Sequence, residues 1–356
     1  MPSRMRVEIA EQPEALRRTF DAVLPQVGEL QALGRETRQV LFIARGSSDN
    51  AAVYGQYLCS VRAGRLASLA SPSLATVYRA DLDLHGVLAV AVSQSGATEE
   101  IVTTLRWARR CGARTVAVTN VAGSPLTEAA DVALITQAGR ELAVPATKTY
   151  TTQLAALAVL ALSVGRGASA GPAGPGLPGA GLEELRRVPE AVEAMLDVAP
   201  AAEALAGRLT DADTLVVSGR GFAYSTALEL SLKLKETCYV TAVGLSYADL
   251  VHGPIAILDP GTPALLVAAA DGPMLPEMTG LGRRIAATGA DVYGIGGDHE
   301  FAAVCRSTLP GPSLPEHLAP FALVVPGQLL VEALARTKGL DPDAPRGLDK
   351  VTQTGP

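Results

Sequence analysis

Ser93, Gln94, Ser95 and Thr98 stand around Gly96 in a six-residue loop. An apolar run with three β-branched residues, 87–92, precedes it, and a stretch placing Ile101, Val102, Leu105 and Ala108 on one helical face follows. A strand, a small-polar loop and a helix in that order suggest an anion site. At such a junction helix N–H groups and the helix dipole favour negative charge. The hydroxyls add donors, and Gly96 lets a ligand approach the backbone. The loop holds no Lys or Arg and the chain lacks GxxxxGK[ST], which excludes a nucleotide P-loop. A single phosphate, with a charge of about −1.5 to −2 at neutral pH, fits the loop. A second small-polar turn, RGSSDN at 45–50, follows the run 40–44 and contributes Ser48 to the same edge. Serines at such positions also serve as ordinary helix caps; two such loops on one edge favour a ligand.

A second group of chemically capable residues lies in STALELSLKLKETCYV, 225–240, a helix by periodicity with Thr226 and Glu229 in capping-box spacing. Glu229, Lys233 and Glu236 share one face of it. That spacing suits a solvated salt-bridged face, and it equally suits proton transfer next to a carbonyl or imine. Sixteen residues on, His252 precedes a Gly-Pro bend and a strand-like apolar run in DLVHGPIAIL. The tail, TKGLDPDAPRGLDKVTQTGP, carries Lys350 near its end and needs a structural anchor if that lysine is to matter.

Positioning these residues requires α/β architecture. Apolar runs at 40–44, 87–92, 115–119 and 131–135 alternate with helical stretches, and similar runs follow at 214–218, 263–269, 291–295 and 321–325. This rhythm implies parallel sheets covered by helices. LFIARG at 41 returns as LVVSGRG at 215, GVLAVAVSQSG at 86 as PALLVAAADG at 263, and GARTVAV at 112 as GADVYGI at 289, an offset of roughly 175 residues that reads as a duplicated domain. Only the first copy carries Ser-Gln-Ser-Gly, so the fold itself does not demand it. GRGASAGPAGPGLPGAG, 165–181, reads as the linker. The expected divisions are a helical segment 1–35, a first α/β domain 36–164, the linker, a second α/β domain 182–335, and a tail 336–356 covering the site.

Composition narrows the function classes. Of 356 residues, 48% are hydrophobic, and the net charge is −6 with no basic patch, which argues against nucleic acid. No uninterrupted apolar run reaches the roughly 18 residues of a membrane span, and the N-terminus lacks a signal-peptide core. Four cysteines without CxxC spacing and four histidines without HxH or HExxH spacing point to a reducing, cytoplasmic setting with no metal; nothing asks for an organic cofactor.

The segments SQSGATEEI, VTNVAGSPLTEAADVALITQAGRELAVPATKTYTTQL, LELSLKLKETCYV, HGPIAIL and KGLDPDAPRGLDKV closely resemble the isomerase part of glucosamine-6-phosphate synthase, the double sugar-isomerase (SIS) family. EIAEQPEALRRTF resembles the helix that opens that module. The resemblance spans roughly 5–60, 86–155, 213–260 and 317–352. It implies two tandem SIS domains, each a flavodoxin-like three-layer αβα sandwich. By matched position, Ser48, Ser93, Gln94, Ser95 and Thr98 would hold a sugar phosphate, with Val144 and Thr147 lining the sugar. Glu236 would move a proton between C1 and C2 with Lys233 beside it. His252 would open the ring and complete a neighbouring subunit's site in a homodimer, and Lys350 would form a Schiff base with the open-chain ketose.

Departures from the family pattern narrow the expectation. The chain begins Met-Pro-Ser and its first cysteine is Cys59, so no glutaminase domain is expected before the module. Ala97, Ala146, Val243 and Asp349 replace a glutamate, a serine, a glutamate and an alanine of the synthase, leaving the phosphate loop, base and histidine intact. The expected activity is conversion of glucosamine 6-phosphate and water to fructose 6-phosphate and ammonia. The alternatives are a deglycase or isomerase for another amino- or N-substituted sugar phosphate, such as fructosamine or galactosamine 6-phosphate, and a non-catalytic phosphosugar sensor.

Overall fold

The computed structural model describes residues 2–165 and 180–350, so nearly all of the expected linker 165–181 lies outside the described residues. The chain forms two compact units. The first-sheet unit comprises Glu14–Glu141, Lys148–Arg186 and Asp349–Pro356; the second-sheet unit comprises Met1–Pro13, Leu142–Thr147 and Arg187–Leu348.

In the first-sheet unit, β1 (Gln39–Ile43), β2 (Leu66–Leu69), β3 (Val87–Val92), β4 (Arg114–Thr119) and β5 (Val132–Ile135) pair in the order β2-β1-β3-β4-β5. Every pairing is parallel. Burial on both faces explains why β3 and β4 are apolar throughout rather than alternating. Ile43, Ala89, Ala91 and Ala117 point to a core with Leu105, Trp107 and Leu126. On the opposite face Phe42 packs against Gly55 and thence Leu157. The Lys148–Ser163 helix is apolar around nearly its whole circumference and is buried accordingly.

The second-sheet unit repeats the plan. Its strands are β6 (Thr214–Gly219), β7 (Thr241–Ser246), β8 (Ala264–Ala268), β9 (Val292–Gly296) and β10 (Ser307–Leu309), ordered β10-β9-β8-β6-β7 and all parallel. Counted within each unit, both sheets have the order 2-1-3-4-5, the flavodoxin-like arrangement. β1 begins at 39 and β6 at 214, β2 at 66 and β7 at 241, each 175 residues apart. The duplication inferred from short motifs is therefore a duplication of topology.

Three local expectations are corrected. Residues 321–325 are not a strand but part of the Ala319–Thr337 helix, whose apolar run reflects burial on all sides. The strand-like run after His252 is a 3-10 turn, Pro254–Ile257, because Gly253 at φ 143° and Pro254 break the extended path. Thr226 does not cap its helix, which starts at Ala223 and encloses Thr226 in the interior. Ala319–Thr337 is also the one helix among the described residues long and apolar enough to cross a membrane, with 94% of its apolar window buried inside the protein. Sequence reading passes over it because Gln328, Glu332 and Arg336 interrupt the apolar run.

Ala319–Thr337 packs closely along the Ala223–Cys238 helix. A Cβ at Gly327 would lie 2.3 Å and 2.4 Å from the two Leu230 δ-carbons, so only glycine permits this approach. Gly327→Ala is expected to destabilise the protein by about 1–3 kcal/mol through overpacking, despite alanine's better helix propensity. Urea-unfolding midpoints would register that loss.

Candidate functional site

The SQSGAT loop follows β3 and the RGSSDN loop follows β1. These strands are neighbours, yet their outgoing connections run to opposite sides of the sheet, because β2 lies beyond β1 and β4 beyond β3. This is the topological switch point, the crevice where open α/β sheets bind ligands. Arg45 of the RGSSDN loop holds Glu100, in the first turn of the Glu99–Arg110 helix that follows SQSGAT, through two hydrogen bonds of 2.9 Å and 3.1 Å.

Backbone bonds set the shape of the SQSGAT loop. Ser93 N donates to Val118 O at 3.0 Å, while Gln94 O accepts from Asn120 N at 3.1 Å and Thr119 Oγ1 at 3.2 Å. Gly96 has φ +61°, and a Cβ there would lie 2.2 Å from Ser124 Oγ, so both conformation and space require glycine. The hydroxyls are not consumed as helix caps. Thr98 is the N-cap of Glu99–Arg110 and makes no side-chain capping bond; Gly46 is the N-cap of Ser47–Val61, where Ser48 is half-buried. Ser93 Oγ lies 3.5 Å from Thr98 Oγ1. Ser95 Oγ is partly engaged, accepting from Ala97 N at 3.2 Å. Beside Ser48, burial pushes the Asp49 carboxyl up against the lowering pull of Arg45.

The second-sheet unit contains Lys233, Glu236, His252, Val144 and Thr147. Lys233 is 1% exposed. Its Nζ lies 2.5 Å from Glu236 Oε2 and 3.6 Å from Glu229 Oε1. The face is therefore not a wholly solvated one: Lys233 and Glu229 are buried in it. Glu229 is fully buried, whereas the Glu236 side chain keeps 27% exposure. Of the two carboxylates, only Glu236 can both meet a ligand and stay fixed by a buried cation. His252 is exposed and caps the C-terminus of Tyr247–Val251, the short helix after β7. Tyr239, in the left-handed conformation at the end of the Lys233 helix, stacks under Arg346 at 4.2 Å, and its hydroxyl oxygen accepts from Arg346 N at 2.8 Å.

Val144 and Thr147 lie in a loop anchored by residues distant in the chain. Glu8 accepts from Leu142 N and, at 3.2 Å, from Ala143 N; Asp343 O accepts from Val144 N at 2.9 Å. The Asp343 carboxylate also caps the Arg4–Ala10 helix, accepting from Arg4 N at 2.9 Å and Met5 N at 2.8 Å. The opening helix and the tail thus hold three successive N–H groups of this loop.

Lys350 returns to the first-sheet unit, where its Nζ lies 2.6 Å from Glu141 Oε2. Glu141 is fully buried on its side chain and also accepts from Thr149 N at 3.1 Å and Thr149 Oγ1 at 2.5 Å. The tail therefore does have an anchor. Sequence reading missed Glu141, Glu8 and Asp343, since each acts on a residue far away in the chain. No group of three or more His, Cys, Asp or Glu suited to a metal occurs among the described residues.

The duplicated parallel sheets define an α/β protein with a hydroxyl-lined switch point in its first copy. The chain belongs to the SIS domain family, whose sequence pattern matches residues 35–163 and 208–303. It is 36% identical over 352 residues to glutamine–fructose-6-phosphate aminotransferase (isomerizing) of Thermococcus kodakarensis, covering 98% of this chain and 58% of that protein. The chain spans 56–58% of the length of the first curated relatives it matches. Among solved structures, the C-terminal domain of glucosamine-fructose-6-phosphate aminotransferase from Francisella tularensis superposes with a TM-score of 0.86 at 27% identity, covering 97% of this chain and 99% of that one. Glucosamine-6-phosphate deaminase from Thermotoga maritima shares the fold, with a TM-score of 0.79 at 23% identity, covering 99% and 100%.

Lys233→Met keeps the side chain's bulk but leaves Glu229 a buried carboxylate without its cation. It is expected to cost about 3–5 kcal/mol, far more than an exposed pair would. Equilibrium urea unfolding of the variant against the parent measures it.

Proposed function

We propose that this chain isomerises and deaminates an amino-sugar phosphate: glucosamine 6-phosphate and water give fructose 6-phosphate and ammonia. The observation that carries the reading is the buried Lys233 held against Glu236, a carboxylate that still reaches solvent. Ser48, Ser93, Gln94, Ser95 and Thr98 hold the phosphate, and Val144 and Thr147 line the sugar. His252 assists ring opening. Glu236 then takes the proton from C2 of the open-chain sugar while O1 gains one from solvent, giving an amino-enol, and returns a proton to C1 as the nitrogen gives one up to solvent. The product is an imine at C2; water adds there and ammonia leaves. Lys233 keeps the Glu236 carboxylate in place and balances its charge while the proton is in transit. His252 is exposed on its own chain, as suits a residue that completes a neighbouring subunit's site in a homodimer. The setting is cytoplasmic, and the chemistry needs no metal or organic cofactor.

A second reading has support in the aminotransferase names of the curated relatives. The same residues would then run toward glucosamine 6-phosphate, with nitrogen supplied from elsewhere. Both directions share the C1–C2 proton transfer.

Purified protein given glucosamine 6-phosphate without glutamine is expected to release ammonia and fructose 6-phosphate in equal amounts. Glu236→Gln is expected to lower turnover by about 10²–10⁴-fold, with little change in sugar-phosphate binding. Release of neither product, while the sugar phosphate still raises the melting temperature, would reject deamination of this substrate. A panel with fructosamine 6-phosphate and galactosamine 6-phosphate would then separate a related enzyme from a sensor.

A further inference from the structure

Glu141 has no place in the chemistry so far, yet it is a carboxylate with no side-chain exposure set against the ammonium of Lys350. Thr149 N and Thr149 Oγ1, from the first turn of the Lys148–Ser163 helix, also donate to Glu141. A carboxylate is favoured at that helix end and a lysine is not. Without Glu141, the tail lysine would face the positive end of the helix. We propose that Glu141 is the positioning residue for Lys350: it holds the tail lysine in place and accepts the Nζ proton when the free amine is required. This rests on the reading of Lys350 as the residue that forms a Schiff base with the ketose.

The proton count supports the assignment. As an ammonium, Lys350 has no lone pair with which to attack C2. Transfer of one proton from Nζ to Glu141 Oε2, across the existing 2.6 Å contact, frees that pair. The N–C2 bond forms and the C2 oxygen leaves as water, taking both remaining Nζ protons or their equivalents. Glu141 returns its proton to the imine nitrogen, which ends as a protonated Schiff base, and the carboxylate is regenerated. No outside oxidant or reductant enters. Because Glu141 is shut away from water, this transfer does not wait on hydroxide.

The test is reductive trapping. The full chain is incubated with fructose 6-phosphate and sodium cyanoborohydride between pH 7 and pH 9, and the adduct on the Lys350 peptide is quantified by mass spectrometry. The parent is expected to form the adduct and Lys350→Ala none. Glu141→Gln keeps the hydrogen-bond acceptor for Thr149 but not the charge. It is expected to trap about ten-fold less at pH 7, with the deficit closing as pH rises and solvent takes over as proton acceptor. Glu141→Asp keeps the charge one methylene back; it is expected to trap less than the parent while keeping the parent's pH profile, and it carries the test if Glu141→Gln fails to fold. Equal trapping by Glu141→Gln and the parent, or a deficit independent of pH, would overturn the proposal while leaving Lys350 in its role. Absence of any adduct in the parent would instead reject the Schiff-base reading of Lys350, and this inference with it.

Discussion

A lysine removed almost wholly from water is the constraint around which the second half of the molecule is organised. Desolvating an ammonium costs several kcal/mol unless carboxylates meet it at short range. Lys233 has one below it in the helix, Glu229, and one above, Glu236. Meeting that condition dictates the surroundings. The Ala319–Thr337 helix packs closely on the helix that carries the triad, which Gly327 permits by presenting no side chain to Leu230. The Arg346–Tyr239 stack at the end of the same helix anchors the tail. The charge is expensive to bury, which is why a purely structural role would be better served by an apolar side chain. A fixed, partly exposed carboxylate is what the expense provides.

Duplication supplies two copies of one topology, and divergence gives them different chemistry. Both sheets run 2-1-3-4-5 and both have a switch point at the C-terminal ends of their first and third strands. In the first, the loops are Arg-Gly-Ser-Ser and Ser-Gln-Ser-Gly, rich in hydroxyls that no helix uses as side-chain caps. In the second, the corresponding loops carry Arg220-Gly221 and Asp271-Gly272, and the Glu316 side chain lies against both glycines. Burial and the neighbouring Asp271 charge push the Glu316 carboxyl up. The hydroxyl-rich loops thus belong to the first copy, while Lys233, Glu236 and His252 stand in the second.

Most strands legible in the sequence are those whose both faces are covered; the edge strand β5 was legible too, because all four of its residues are apolar. β1, β3, β4, β6, β8 and β9 are apolar at nearly every position, as burial on two sides demands. The ones that escaped, β2, β7 and β10, are edge strands, short or half-exposed, with little apolar signature. Residues 321–325 misled for the opposite reason: five consecutive buried positions look alike in a strand and in a core helix. In the candidate site, spacing placed Glu229, Lys233 and Glu236 on one face but could not say whether that face met water. The anchors were invisible because hydrogen bonds such as that from Lys350 to Glu141, 209 residues apart, leave no local pattern.

The proposed activity requires a proton to move between C1 and C2 at Glu236, and that movement can be observed without any nitrogen on the sugar. Fructose 6-phosphate incubated with the protein in deuterium oxide should take up deuterium at C1, followed by loss of the C1 proton signal in NMR. Exchange in the parent that Glu236→Gln abolishes, while both proteins still bind the sugar phosphate, is the predicted result. Tight binding by the parent with no exchange would contradict the account and leave the chain a binder of phosphosugars rather than a catalyst on them.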